Sequence, residues 1–164
     1  MKSKLNARNL LNSCSFRYGA SEDVTELLAL YERFFSEAAY KDFIVFDPDR
    51  ARRTIDGGIL TQCRPHLVAL IEGRIVGFIA WQLDHTFSVK PVQVLFEAYV
   101  EPEHRISAIG RYLVQLAIKE GKYKGACAVH APVASGMPAA RSLKNCLTKC
   151  GFEELGYIMR KGLA

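Results

Sequence analysis

Two apolar runs, His66 to Ile71 and Arg74 to Leu83, flank the dipeptide Glu72-Gly73. A two-residue connection with Gly available for a positive φ closes a tight hairpin, so an antiparallel strand pair is forced into the middle of the chain. A third strand follows. Pro91 opens it, it runs from Val92 to Val100, and Pro102 stops it. Period-two alternation puts Val92, Val94, Phe96, Ala98 and Val100 on one face and Gln93, Leu95, Glu97 and Tyr99 on the other.

Helical spacing surrounds these strands. After a short strand, Phe16 to Tyr18, Ser21 is expected to cap a helix whose apolar stripe is Val24, Leu27, Leu28, Tyr31 and Phe34. Asp47 and Pro48 start a second, short helix that Gly57-Gly58 should end. Ile106, Ile109, Leu113, Leu116 and Ala117 mark a third helix ending near Gly121, followed by a strand from Ala126 to His130. Ala139 to Cys150 reads as a fourth, with Ala140, Leu143, Leu147 and Cys150 on one stripe and Gly151 as its left-handed cap. Phe152 to Arg160 should close the fold as one or two short strands.

Such a succession makes a mixed α/β fold, a central and mostly antiparallel sheet flanked by helices. With 164 residues there is material for one core, so a single domain is expected over 16–164, preceded by an arm, 1–15, that is free to pack, to pair copies or to stay loose. The longest unbroken apolar stretch, Ile75 to Trp81, is far too short to cross a bilayer of about 30 Å, so no membrane role is expected. Asn6, Asn9, Asn12 and Ser13 interrupt the start where a signal peptide needs its apolar core, which makes the cytoplasm the default. The five cysteines include no Cys-x-x-Cys pair, and reduced thiols with no metal fit them best. A net charge of +5, densest at Arg50, Arg52 and Arg53 and at Lys119, Lys122 and Lys124, allows a polyanionic ligand. It lacks the interleaved aromatic and basic residues of single-strand binders, so nucleic acid is allowed but unsupported.

The chemistry concentrates in Tyr99 to Leu113, a strand, a short loop and a helix start. A helix N-terminus offers amides without internal partners and partial positive charge, and so can seat a diphosphate. Ala108 and Gly110 keep side chains out of its way, and Arg105 would add a cation. Here the chain resembles the GNAT family of N-acetyltransferases, whose pyrophosphate loop reads Gln/Arg-x-x-Gly-x-Gly/Ala after a strand ending Val-x-Pro. The counterparts are Val100-Glu101-Pro102 and Arg105-Ile106-Ser107-Ala108-Ile109-Gly110, with Ala108 where the family usually has Gly. The order of elements and the late Gly151-Phe152 pair extend the resemblance over most of the chain.

The resemblance implies acetyl-CoA as co-substrate and transfer to a primary amine by direct attack on the thioester. Arg105, Ile106, Ser107, Ala108, Ile109, Gly110 and Arg111 would hold the cofactor's phosphates, and Tyr99 and Val100 its pantetheine arm. Glu97 would be the base, and the Val100 amide the donor to the developing oxyanion. Where many relatives carry an acidic tyrosine, four residues before Gly151, this chain has Leu147; Tyr157, Tyr99, Ser142 or Cys146 are the candidate substitutes, or water protonates the weakly basic thiolate and no dedicated acid is needed. The acceptor is left open among a small molecule, a protein amine and an aminoacyl group, as is a homodimer. The reading of a different class is a non-catalytic module of the same fold that binds CoA, protein or nucleic acid, and Leu147 and Ala108 are its support.

Overall fold

A computed structural model describes residues 13–38, 44–86, 88–105, 108–133 and 140–156. Five strands lie side by side in chain order: β1 (Cys14–Tyr18), β2 (His66–Ile71), β3 (Arg74–Asp84), β4 (Val92–Val100) and β5 (Ala128–His130). Pairing is antiparallel from β1 to β4 and parallel between β4 and β5. Helices α1 (Val24–Glu37) and α2 (Pro48–Thr61) cover one face, where Leu27, Leu30, Tyr31, Phe34 and Ile59 pack on Val68, Ile75, Phe78 and Tyr99. On the other face α3 (Ile109–Tyr123) and α4 (Ala140–Lys149) bring Leu113, Val114, Ala117 and Leu147 against Leu67, Val76, Ile79 and Trp81. With both faces covered, β2 and β3 are buried almost throughout, which is why their sequences run apolar instead of alternating.

The hairpin forms as expected, with φ of +52° at Glu72 and +78° at Gly73, both central residues being positive as a type I′ turn requires. The Asp47 side chain caps α2 by accepting from the Arg50 amide at 3.0 Å. Gly151, at φ +88°, takes the left-handed position after α4.

Several boundaries differ: β1 starts at Cys14 instead of Phe16 and β3 ends at Asp84 instead of Leu83. Ser21 is not a cap: Ser21–Asp23 is a 3-10 turn leading into α1, and the Asp23 carboxylate takes the Ala20 amide at 2.8 Å. Helix α2 runs through Gly57-Gly58 to Thr61, because Gly58 lets the Arg64 backbone approach; a Cβ there would lie 3.0 Å from the Arg64 carbonyl oxygen. Helix α3 likewise passes Gly121, where any Cβ would meet the buried Gln93 amide at 2.1 Å, and ends at Tyr123. Strand β5 starts only at Ala128. Residues 152–156 are irregular, and the rest of the expected closing strands lies outside the described residues.

The largest correction concerns β4. Ala80 pairs with Glu97 but Trp81 with Leu95, so Phe96 is an extra residue, a β-bulge. Alternation restarts there. Gln93 and Leu95 face α3, where Gln93 donates to the Ala117 carbonyl at 2.7 Å, whereas Glu97 and Tyr99 face α1 and α2. Glu97 and Tyr99 still share a face, but not with Gln93 and Leu95.

Candidate active site

Strand β4 and β5 pair only from Val92↔Ala128 to Val94↔His130. Beyond that register no described residue pairs with the outer edge of β4. Glu101 donates its amide to the Val76 carbonyl at 2.9 Å, toward β3. Consecutive amides of a strand point to opposite sides, so the Val100 amide points away from β3, into the opening between β4 and β5. The start of α3 abuts that point, since a Cβ on Gly110 would lie 3.6 Å from Val100 Cγ2. The Tyr112 amide donates to the Ala108 carbonyl at 2.9 Å, and the amides of this first turn are the ones that a helix presents at its N-terminus. Ala108 sits at the N-cap without a capping side chain. The Ile109 side chain is buried in the core, so only its backbone can face a ligand. Arg111 is exposed on the first turn. Ile106 and Ser107 lie outside the described residues.

Arg105 is held more firmly than the sequence suggests. Its Nε donates to the Val100 carbonyl at 2.8 Å and its Nη2 to Glu37 Oε2 at 2.7 Å, and its guanidinium lies 5.1 Å from the centre of the Tyr99 ring. The Tyr99 hydroxyl meets the other Glu37 oxygen at 2.9 Å. Burial and then Glu37 push Tyr99 up to about 12, so its hydroxyl stays protonated at neutral pH. The set pins the end of α1 to the end of β4.

On the α1 and α2 side of β4, a cavity of about 290 Å³ is lined by Phe35, Phe46, Ile55, Arg64, His66 and Glu97, among others. The Glu97 carboxylate receives Nη2 of Arg64, and the Tyr31 hydroxyl lies 3.4 Å from Glu97 Oε2 and 3.0 Å from His66 Nε2. For Arg64, burial opposes the charge, but the Glu97 carboxylate outweighs it and raises the pKa. Sequence reasoning missed Arg64, His66 and Tyr31. They come from a turn, a strand start and a helix core stripe, and only tertiary packing brings them to Glu97.

His66 is buried, and that burial, followed by the Arg64 guanidinium, pushes its pKa down to about 4. It is therefore neutral at pH 7 and cannot take a proton from an ammonium group. The unfolded chain binds this proton near pH 6.5 and the folded chain only near 4, so stability is lost as pH falls through that window. Thermal denaturation from pH 7 to 4 should reveal a loss of up to about 3 kcal/mol from this residue. His66→Gln should flatten the slope between pH 6.5 and 4. The Asp23 carboxyl, held low by Arg17, acts in the same direction but at more acidic pH.

Among the substitutes for the missing tyrosine, Tyr99 keeps its proton but gives its hydroxyl to Glu37. Leu147 is buried in the core, and Ser142 is exposed on α4. Burial and then the Cys150 thiol raise Cys146 to about 11, so it remains a thiol at neutral pH. Tyr157 lies outside the described residues. Lys144 pairs with Glu154 at 2.6 Å, while Arg141 is exposed. Glu101, Glu103 and His104 come close enough to share an ion, but Arg33 and Arg74 already neutralise the buried Glu101 at 2.5 and 2.7 Å. All five cysteines are free thiols, and no described helix is long and apolar enough to cross a membrane.

A sequence model described as the acetyltransferase (GNAT) family matches residues 22–152. No curated protein matches the chain. Among solved structures, an aminoglycoside acetyltransferase from an uncultured soil metagenomic sample, in complex with sisomicin, superposes with a TM-score of 0.71 at 20% identity, covering 94% of this chain and 99% of its own. The aminoglycoside N-acetyltransferase AAC(6')-Iy in complex with CoA gives 0.72 at 18% identity, over 90% and 93%. A predicted acetyltransferase from Clostridium acetobutylicum with acetyl-CoA gives 0.72 at 14% identity, over 90% and 95%. At these identities the likeness is one of fold.

Proposed function

The chain belongs to the acetyltransferase (GNAT) family, and from that premise we propose that it moves an acetyl group from acetyl-CoA to a primary amine seated in the cavity beside Glu97. The observation that carries this reading is the end of β4, where an edge that no described strand pairs, the first turn of α3 and a carboxylate-bearing cavity meet within a few residues.

In this reading the diphosphate of CoA lies on the amides from Ala108 to Arg111, with Ile106 and Ser107 completing the loop. Arg105 acts chiefly by fixing the loop to Val100 and Glu37, and contributes its charge from there. The pantetheine arm runs along Tyr99 and Val100 as an added strand, using the opening that β5 leaves. The thioester carbonyl then meets the Val100 amide, which stabilises the oxyanion as the amine adds. Glu97 takes the proton of the incoming ammonium. The domain begins with β1 at Cys14, two residues before the expected boundary at 16, and works in a reducing compartment such as the cytoplasm, where free thiols persist.

A calorimetric titration of acetyl-CoA into the wild type and Gly110→Glu tests the cofactor half. The new carboxylate would sit beside Val100 at the anion site, so affinity should fall at least about tenfold with the melting temperature little changed. Wild-type protein that gives neither heat nor thermal stabilisation at millimolar acetyl-CoA would overturn the reading. The buried Leu147 and the ion-paired Glu97 favour a second reading, a module that binds CoA without turnover. Acetyl-CoA binding with no thioester cleavage by any amine would support it.

A further inference from the structure

We propose that the acceptor is a free α-amino acid with an apolar side chain, of about the size of leucine or phenylalanine. This rests on the acetyl-transfer reading above and names the substrate class of the same cavity.

The cavity of about 290 Å³ lies at the small end of ligand pockets, which run from about 300 to 1,000 Å³, and so suits a molecule on the scale of one amino acid. Its wall is largely apolar, with Phe35, Phe46, Ile55 and the ring of Tyr31. Its enclosed charged feature is the Arg64–Glu97 ion pair, whose side chains are only 25% and 19% exposed, whereas Asp47 and Arg50, also in the lining, are exposed. An acceptor carrying nothing but an ammonium group would have to draw Glu97 away from Arg64. That leaves a half-buried guanidinium without a partner, the costly way to open an ion pair.

A zwitterion avoids this. Its ammonium meets Glu97 while its carboxylate meets Arg64, so each charge exchanges one partner for another. Arg64 is suited to the exchange. It uses only Nη2 on Glu97, and its buried Nε has no partner among the described residues. Polycations are disfavoured in the same cavity. Arg50 lines it with no ion pair among the described residues, and Asp47 is already committed to capping α2 through the Arg50 amide.

In the transfer the amine nitrogen forms its bond to the acetyl carbon as the carbon–sulfur bond breaks. Of the two protons the ammonium loses, one passes to solvent through Glu97 and the other ends on the CoA thiol.

The test is release of CoA thiol by the wild-type protein with phenylalanine, phenylalanine amide and sisomicin, beside calorimetric titration of phenylalanine into protein saturated with CoA. Phenylalanine should show a kcat/KM at least about tenfold above its amide, which lacks the charged carboxylate and has the less basic, more often neutral amine, and sisomicin should be the poorest. An amide used as well as the acid points to a peptide-like acceptor, and sisomicin used best points to a polyamine. Either result overturns this proposal and leaves acetyl transfer standing. Phenylalanine that binds without turnover supports the ligand class and removes the transfer reading; phenylalanine that neither binds nor reacts overturns the proposal.

Discussion

Glu97→Gln is expected to lower turnover at neutral pH by about 100-fold or more, since a positioned general base contributes roughly 10²–10⁴. Acetyl-CoA affinity should change little, because the side chain faces the α1 and α2 side of β4 while the cofactor's opening lies on its β5 edge. Glutamine keeps the shape and can still accept from Arg64 and Tyr31 through its carbonyl, so most of the local geometry persists. What it removes is the proton acceptor. The variant's rate should then climb with pH as more of the amine arrives already neutral, while the wild type levels off. Thiol release at saturating acceptor, followed from about pH 6 to pH 10, reads both effects. Turnover unchanged by the substitution would mean that the amine needs no base here, and that Glu97 serves only to hold Arg64.

How far this site can be read from the sequence depends on whether each residue's role is set by its neighbours in the chain. Glu72-Gly73, Asp47-Pro48 and Gly151 act through their own backbone, and all three stand where the local rules put them. The bulge at Phe96 has no such signal. Period-two reasoning carries an alternation straight through β4, while the fold inserts one residue and turns Glu97 and Tyr99 to the opposite face from Leu95. Gly58 and Gly121 mislead for the opposite reason: each looks like a helix end, but serves as a point of close approach within a helix. Arg64, His66 and Tyr31 are separated by 33, 31 and 66 residues from Glu97 only through the chain, and their hydrogen bonds to one another exist only after both faces of the sheet are covered. Glu101 was equally hidden. As the middle of Val100-Glu101-Pro102 it reads as part of a loop signature, yet it is buried beneath two arginines.

Phe78→Ala tests whether that packing is what holds the site. Phe78 is fully buried on β3, its ring stacked on Tyr31 at 4.4 Å and within 6.0 Å of the His66 ring and 6.5 Å of Tyr99. Truncating a buried phenylalanine costs about 3–5 kcal/mol, from lost transfer free energy and the cavity left behind. At roughly 2–4 °C per kcal/mol for a chain of this size, the melting temperature should fall by about 6–20 °C. The hole would open directly beneath Tyr31, whose hydroxyl links His66 to Glu97. Well below the variant's melting point, the acceptor KM should therefore rise by a larger factor than the acetyl-CoA dissociation constant, since the α3 turn and Val100 pack on the other side of the sheet and the hole reaches the cofactor only through Tyr99. Phe78→Leu, which refills most of the volume, should recover the larger part of the stability. An alanine variant that loses stability but keeps its acceptor KM would show that Tyr31 and Glu97 are held from α1 and Arg64 alone, without support from the sheet beneath them.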